Sequence, residues 1–481
     1  MKIKNITLFL LTLFLASCDK YLDVSPDSRT NLDGVDKVKD LLVTAYPLGS
    51  YITFAEAASD NAADKGPNAQ GILLYPINEG PYLFKDVDSE IGRDSPTYYW
   101  YACYKAIAAA NHALDAIEKA TDDKKAYQPY KGEALVCRAY AHFMLVTFFS
   151  RAYVPGQPNP SPGIPYVTRP EKEVQPKYER KTVDYVYEMI EKDLTEGLKL
   201  IKNTVYEVPK FHFTTSAAHA FASRFYLFKK QYDKVIEHAN QVTTGGDFSR
   251  SLRPWITEYN NLAETAEIRN RYGNSGEVAN ILLVRATTHW GSRNYLYRYG
   301  LAYQLNQQRM RWPNVTGGVW DQRTSSYNSS TNIRHNKFTS DTYVVPLLCM
   351  EEVLFNRAEA YACTGQYDKA MADMDLYAST RTIGYNSTTN KITLQKIRDY
   401  YKTTNDLEGM VATVLDFKRS EFIMEGIRWF DILRHGITVT HTVLDGAGNV
   451  VNTITVDKND PRRVFQIPFE AKLAGIDLNP R

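Results

Sequence analysis

The stretch KRSEFIMEGIRWFDILRHG, residues 418–436, gathers three acids, three arginines, a lysine and a histidine. Residues of these types could form a general acid–base pair. Glu421, Glu425 and Arg428 recur at the i, i+4, i+7 spacing of one helical face, and Phe422, Ile423, Ile427, Phe430 and Leu433 fill another. The spacing predicts a helix in which Glu425 pairs with Arg428 and Asp431 with Arg434. Such pairing depresses carboxylate pKa values, whereas a general acid needs one raised. The box therefore reads as a frame for the fold, with Gly426 marking the close approach of another backbone.

Other chemistries find no anchor. DVDSEIGRDSPT, from Asp86, begins like a calcium loop, but Ile91 stands where glycine is needed and Thr97 where a bidentate glutamate is needed. There is no H-E-x-x-H, G-x-S-x-G or P-loop pattern. His112 and His142 sit in helical runs and read as core or cap residues. Cys103, Cys137, Cys349 and Cys363 lie in apolar helical contexts without a C-x-x-C pair, so free buried thiols are expected and a disulfide stays open. A carboxylate pair for glycoside hydrolysis meets only in space, and nothing in the sequence marks one. No enzyme, cofactor or metal is expected.

The aromatics point to recognition. The 34 tyrosines outnumber the 20 phenylalanines and 6 tryptophans together, and Tyr offers a flat apolar face with a polar rim. Four of the six tryptophans, Trp255, Trp290, Trp312 and Trp320, fall in a segment from about 243 to 342 that is rich in Gly, Asn, Ser and Thr and lacks sustained helical period. Sugars present C–H faces that stack on flat rings and hydroxyls that need polar partners. Trp290, Tyr295, Trp312 and Trp320 are the candidate ligand residues, with Arg293, Asn294, Arg311, Asn314, Asp321 and Gln322 as polar neighbours. Asp60 and Asn61, in the polar loop SDNAADKGPNAQG, join them. The competing reading is that these tryptophans pack under the insertion and hold it in place; Trp100 and Trp429, in helical runs, read as core.

Those residues must be positioned by a scaffold. The start, MKIKNITLFLLTLFLASC, has a basic end, an apolar run too short to span a bilayer, and small residues before Cys18. Residues 1–17 read as a lipoprotein signal peptide, Cys18 as the lipid-bearing N-terminus and 18–33 as a polar membrane tether. Asp19 leaves the choice of membrane open. The formal charge is +2, and Lys2 and Lys4 account for that excess, so nothing suggests nucleic acid.

From residue 34 to 481 a single, mainly α domain is expected. FASRFYLFKKQYDKVIEHA and NRAEAYACTGQYDKAMADM share QYDK at 231 and 366, and the second has the small residues and turn glycine of a tetratricopeptide hairpin: Ala358, Gly365 and Ala370. YVPGQPNPSPGIPY, with prolines that forbid helix and ladder, is a long crossing loop. THTVLDGAGNVVNTITV alternates about a Gly-rich turn and reads as a β-hairpin. The scaffold is thus one of tetratricopeptide-like helical hairpins with a large irregular insertion and a small β-hairpin.

RSEFIMEGIRWFDILRHG is similar to the C-terminal signature of the SusD/RagB-like outer-membrane nutrient-binding lipoproteins, through Arg419, Glu421, Phe422, Glu425, Gly426, Arg428, Asp431, Ile432 and Arg434. Phe417 and Lys418 replace the usual leading E-R, which is expected to weaken one ion pair. The LASC lipobox, WYACYKAIAAANHALDAI, GEALVCRAYAHFMLVTFF, the crossing loop and FQIPFEAKLAGIDLNP follow in the family's order. The resemblance implies four tetratricopeptide-like hairpins and irregular insertions forming a binding face. It also implies an outer-membrane protein facing the cell exterior, anchored in lipid through Cys18. Such a protein binds an oligosaccharide and delivers it to a SusC-like TonB-dependent transporter. A peptide-binding member, a lipid-anchored tetratricopeptide assembly factor and a lipid-anchored hydrolase are the alternatives.

Overall fold

A computed structural model describes residues 32–67, 76–172, 176–294, 297–320, 325–329, 332–335, 337 and 342–481. The signal segment, Cys18, most of the tether, Tyr295, Asp321 and Gln322 lie outside the described residues.

The chain opens with α1 (Val35–Leu42), α2 (Ile52–Ala58), strand β1 (Ala62–Asp64) and α3 (Pro76–Tyr82). The long helices α4 (Pro96–Lys119), α5 (Gln128–Phe149) and α6 (Val183–Leu198) follow. Ser95 and Thr182 begin α4 and α6 by accepting a hydrogen bond from the N–H three residues on, which satisfies an otherwise orphaned donor. Contact between α5 and α6 depends on missing side chains: a Cβ on Gly132 would lie 2.8 Å from the Gly197 carbonyl oxygen. The proline-rich segment between them is an ordered crossing loop. Its Asn159 bonds the backbone at Val154 and Gln157 and the Asp184 carboxylate.

The two QYDK copies are helical hairpins. The first is α7 (Thr215–Phe228) with α8 (Tyr232–Asn240). The second comes after the insertion, described below, and its turn is Gly365, at φ 74°. At the matching position the first copy has Lys230, forced to φ 51°. A side chain in that region is strained.

The insertion is more regular than its composition suggests. It holds α9 (Thr265–Tyr272), strand β2 (Asn280–Thr287), α10 (Trp290–Arg293), β3 (Tyr299–Leu301), α11 (Tyr303–Arg311), a β4–β5 hairpin (Ser325–Ser329, Asn332–His335) and β6 (Thr342–Cys349). β2 and β6 pair antiparallel, with Val284 opposite Val345. The first five residues of NILLVRAT in β2 are all buried and so show no alternation, and the partner strand lies far along the chain, leaving no local hairpin signal. β1 pairs with β3, Ala62 opposite Leu301. That pairing brings the polar loop after α2 to the insertion.

The chain then continues through α12 (Met350–Cys363), α13 (Tyr367–Ser379), α14 (Leu394–Tyr401), α15 (Asp406–Glu421), α16 (Arg428–His435) and the hairpin β7 (Val439–Leu444) and β8 (Val450–Val456). α12 and α13 form the second QYDK hairpin. One cluster of buried apolar side chains runs from Val38 to Ile476. Cys103, Cys137 and Cys349 are buried free thiols, and Cys363 is a partly buried one.

Candidate functional site

The charged box is not one helix. α15 ends at Glu421, and Met424 at φ 64° and Gly426 at φ 76° turn the chain before α16 begins at Arg428. The physical cause is α2: a Cβ on Gly426 would stand 3.2 Å from Ile52 Cα, so this backbone passes too close for a continuing helix. The freed amides of Met424 and Gly426 donate to the buried Glu56 carboxylate at 2.7 and 3.1 Å. Burial outweighs these donors and raises Glu56 to a pKa of about 7.

The break sends each charge to a different partner. Glu421 accepts from Arg381 Nε at 2.8 Å and from Tyr377 at 2.9 Å. Arg381 also reaches Glu351, which pairs with Arg253 at 2.7 Å, all four fully buried. Burial pushes Glu421 upward, but Arg381 and Lys337 more than reverse it and hold the carboxyl at about 2. The expected Glu425–Arg428 pair does not form. Glu425 meets Lys337 and Tyr272, and burial raises its pKa. Arg428 forks onto Asp60 with two 2.9 Å bonds.

The Asp431–Arg434 pair does form, at 2.8 Å, and Arg434 also forks onto Glu359. Lys418, standing where the family pattern has arginine, bonds Asp431 at 3.0 Å, so the ion pair there is retained. His142 is a core histidine. Its Nδ1–H donates to the Arg138 carbonyl and its Nε2 accepts from Val167 N–H, and burial lowers its pKa to about 3. His112, by contrast, is on the surface of α4.

Outward from this frame lies a mixed aromatic and charged face. Asp60, at its base, is part-exposed; burial raises its pKa, but Arg428 and Arg419 pull it below the usual carboxylate range. Arg309, in the last turn of α11, reaches Asp416 of α15 at 2.8 Å and lies close enough to Asp60 to contribute to that lowering. Asp416 also accepts from Tyr401 at 3.0 Å. Tyr400, 45% exposed, feels the charges of both Asp416 and Arg309. Trp312, three residues after Arg309, is 55% exposed. The turn that follows it is tied to α14, where Lys396 Nζ bonds the Thr316 carbonyl at 3.3 Å. Lys396 and Tyr400 are four apart and share a helical face. Tyr400 thus stands near Arg309 and Asp416, Arg309 is near Asp60, and the exposed Trp312 follows Arg309 by three residues.

Among the described residues, the other expected ligand residues, Trp290, Trp320 and Asn61, are buried. Trp290 is buried, and its indole N–H donates to the Met424 carbonyl at 3.0 Å. Trp320 is buried edge-on against Phe417 and Tyr377. Asn61 is buried, donating to Glu56 and accepting from Arg419. Trp100, Trp255 and Trp429 are buried as well. The sequence reading passed over Tyr400, Arg309 and Asp416. Tyr400 was recoverable, because Leu394, Ile397 and Tyr401 form the apolar stripe of α14 and leave Tyr400 off it.

Several concavities lie elsewhere. An open cleft of about 960 Å³ is lined in part by polar side chains, among them Arg271, which pairs with both Glu258 and Glu277. A narrower cavity of about 280 Å³ is lined by Trp100, Tyr104, Pro165, Pro170 and Tyr178. Beside it Tyr101, Phe469 and Leu473 stand exposed, Leu473 by 79%.

Helical hairpins that hold a decorated face over a buried charge frame define a scaffold for binding. Two family models match successive parts of the chain. One, described as "Starch-binding associating with outer membrane", covers residues 20–227, and the other, "SusD family", covers 287–474. The chain belongs to the SusD/RagB-like family. Among solved structures it is similar to a SusD superfamily protein from Bacteroides vulgatus, at 18% identity over 93% of this chain and 99% of the other, TM-score 0.67. A SusD-like carbohydrate binding protein from the same organism matches at 16% identity, 92% and 96% coverage and TM-score 0.63. A laminarin binding SusD-like protein matches at 18%, 93% and 99%, and 0.61. A comparison with curated proteins finds no match. Among the described residues no helix is long and apolar enough to cross a membrane.

Proposed function

We propose that this protein is a non-catalytic outer-membrane lipoprotein, held by lipid on Cys18 and facing the cell exterior, that captures an oligosaccharide for a SusC-like TonB-dependent transporter. The observation that carries the reading is the exposed Tyr400 near Arg309 and Asp416, with the exposed Trp312 three residues after Arg309. A flat ring takes the C–H face of a sugar while nearby charged groups take its hydroxyls. Trp290, Trp320 and Asn61, buried behind the exposed rings, serve to hold the insertion in place. Carbohydrate binding by structural neighbours supports the ligand class.

For the transporter, the exposed Tyr101, Phe469 and Leu473 beside the aromatic cavity offer the kind of apolar surface that protein partners cover. The test of ligand class is titration of the pure protein with oligosaccharide and peptide panels, with turnover followed in parallel. Saturable binding of a glycan without hydrolysis is expected; peptide-only binding, or product release, overturns the reading. The anchor is tested by Cys18→Ala, which releases the protein from membranes. Copurification from detergent-solubilised envelope tests the transporter, and Leu473→Glu is expected to abolish it.

A further inference from the structure

The α7–α8 hairpin carries a feature that sugar capture does not use. His219 on α7 and His238 on α8 meet at their Nδ1 atoms, 2.8 Å apart, with ring centroids 5.1 Å apart and planes at 37°. Both rings are half-buried, so solvent reaches the pair. Behind it Tyr226 lies parallel to the His238 ring, and Lys234 sits over Tyr226. Burial, together with His238 for His219 and Lys234 for His238, lowers each imidazole's pKa to about 4. Both rings are therefore neutral at pH 7, the form in which imidazole binds metal.

Two neutral imidazoles facing through the same kind of nitrogen have two possible occupants for the gap: one shared proton or one cation. The separation discriminates among cations. With metal–nitrogen bonds of about 2.0–2.1 Å, two ligands at a right angle stand about 2.9 Å apart, and two tetrahedral ligands about 3.3–3.4 Å apart. The observed 2.8 Å is the length of the hydrogen bond that the two rings share without a metal, and a cation of right-angle preference, tetragonal Cu²⁺ or Ni²⁺, is the one that would enter with least movement of the rings. We propose that His219 and His238 form a two-imidazole site for a divalent transition-metal ion of tetragonal preference, binding through both Nδ1 atoms. Among the described residues no three potential ligands converge into a metal cluster, so water or a group from another molecule completes the coordination. The Nδ1 proton of the donor ring moves to its own Nε2 when the metal enters, so binding at pH 7 releases no net proton.

The experiment is calorimetric titration of the full chain with Cu²⁺, Ni²⁺, Zn²⁺ and Mg²⁺ at pH 7 in buffers of different ionisation enthalpy, with the Cu²⁺ form examined by electron paramagnetic resonance. One equivalent should bind in the order Cu²⁺ > Ni²⁺ > Zn²⁺, with no Mg²⁺ binding. Its heat should be independent of buffer and its spectrum should show two coupled nitrogens. His219→Ala and His238→Ala should each weaken Cu²⁺ binding about tenfold or more. His219→Gln repeats the test if the alanine variant does not fold, and His112→Ala, which removes an exposed single imidazole, should change nothing. Absence of Cu²⁺ binding, affinity unaffected by either histidine substitution, or affinity lost with His112→Ala overturns the proposal.

Discussion

The frame and the face share residues of the same types and use them in opposite ways. In the frame, Arg253, Glu351, Arg381 and Glu421 are closed on one another with no exposed surface. On the face, Arg309, Asp416 and Asp60 make comparable bonds but keep part of each side chain open, with exposed rings beside them. Burial decides what a charge is for. A fully desolvated pair is costly to break and so enforces one geometry. A pair at the surface contributes little to stability and is available to a ligand.

Breaking the frame should have the largest effect. Glu421→Ala leaves Arg381 without its main partner in a dry core and should cost roughly 3–5 kcal/mol, read as a drop in the midpoint of chemical denaturation. Acid probes the same charge. Glu421 titrates at about 2 in the folded protein and near 4.5 when unfolded, so its contribution is complete above pH 4.5 and drains as pH falls toward 2. The loss should reach about 3 kcal/mol and be absent from a Glu421→Gln series.

Asp60 joins the two regions. Asp60→Asn keeps its shape but removes the charge facing Arg428 and Arg419, and should cost about 1–2 kcal/mol while also weakening ligand binding. At the far end, Trp312→Ala should leave the melting temperature unchanged and weaken the cognate oligosaccharide about tenfold or more, near 1.4 kcal/mol. Tyr400→Ala should do the same to a smaller degree. A Trp312 variant that melts early, or a Glu421 variant that melts normally, would remove the distinction between frame and face.

The sequence was most informative where the cause was local. Capped amphipathic runs, the QYDK hairpins, the crossing loop and the terminal β-hairpin follow from spacing and turn residues within a few positions. It was least informative where the cause lay elsewhere in the chain. Gly426 announces the close approach, but nothing near Met424 announces its left-handed turn, because what stands against this stretch is the Tyr51 ring and the Ile52 backbone. The partner of Glu425 is Lys337 and that of Arg428 is Asp60, neither within reach of an i, i+3 rule. The tryptophans show the same limit. Type and neighbours mark Trp290, Trp312 and Trp320 alike as candidates, yet the carbonyl of Met424 and the rings of Phe417 and Tyr377 take two of them inward. Only Trp312, in the turn after α11, is left at the surface.

The amides of Met424 and Gly426 on Glu56, the Arg428 fork on Asp60 and the Arg419 bond to Asn61 each join residues more than 350 positions apart. Seen as a matter of timing, these bonds cannot form until nearly the whole chain has been synthesised and delivered. Completing the packing around α2 must await the last eighth of the sequence, since Glu56 would otherwise be buried without the Met424 and Gly426 donors. Contacts of such separation slow folding, and a chain truncated before Arg419 should remain protease-sensitive throughout its α2 region. Under the proposed delivery to the outer membrane, this arrangement would keep the chain unfolded, and so transportable, until its end has arrived.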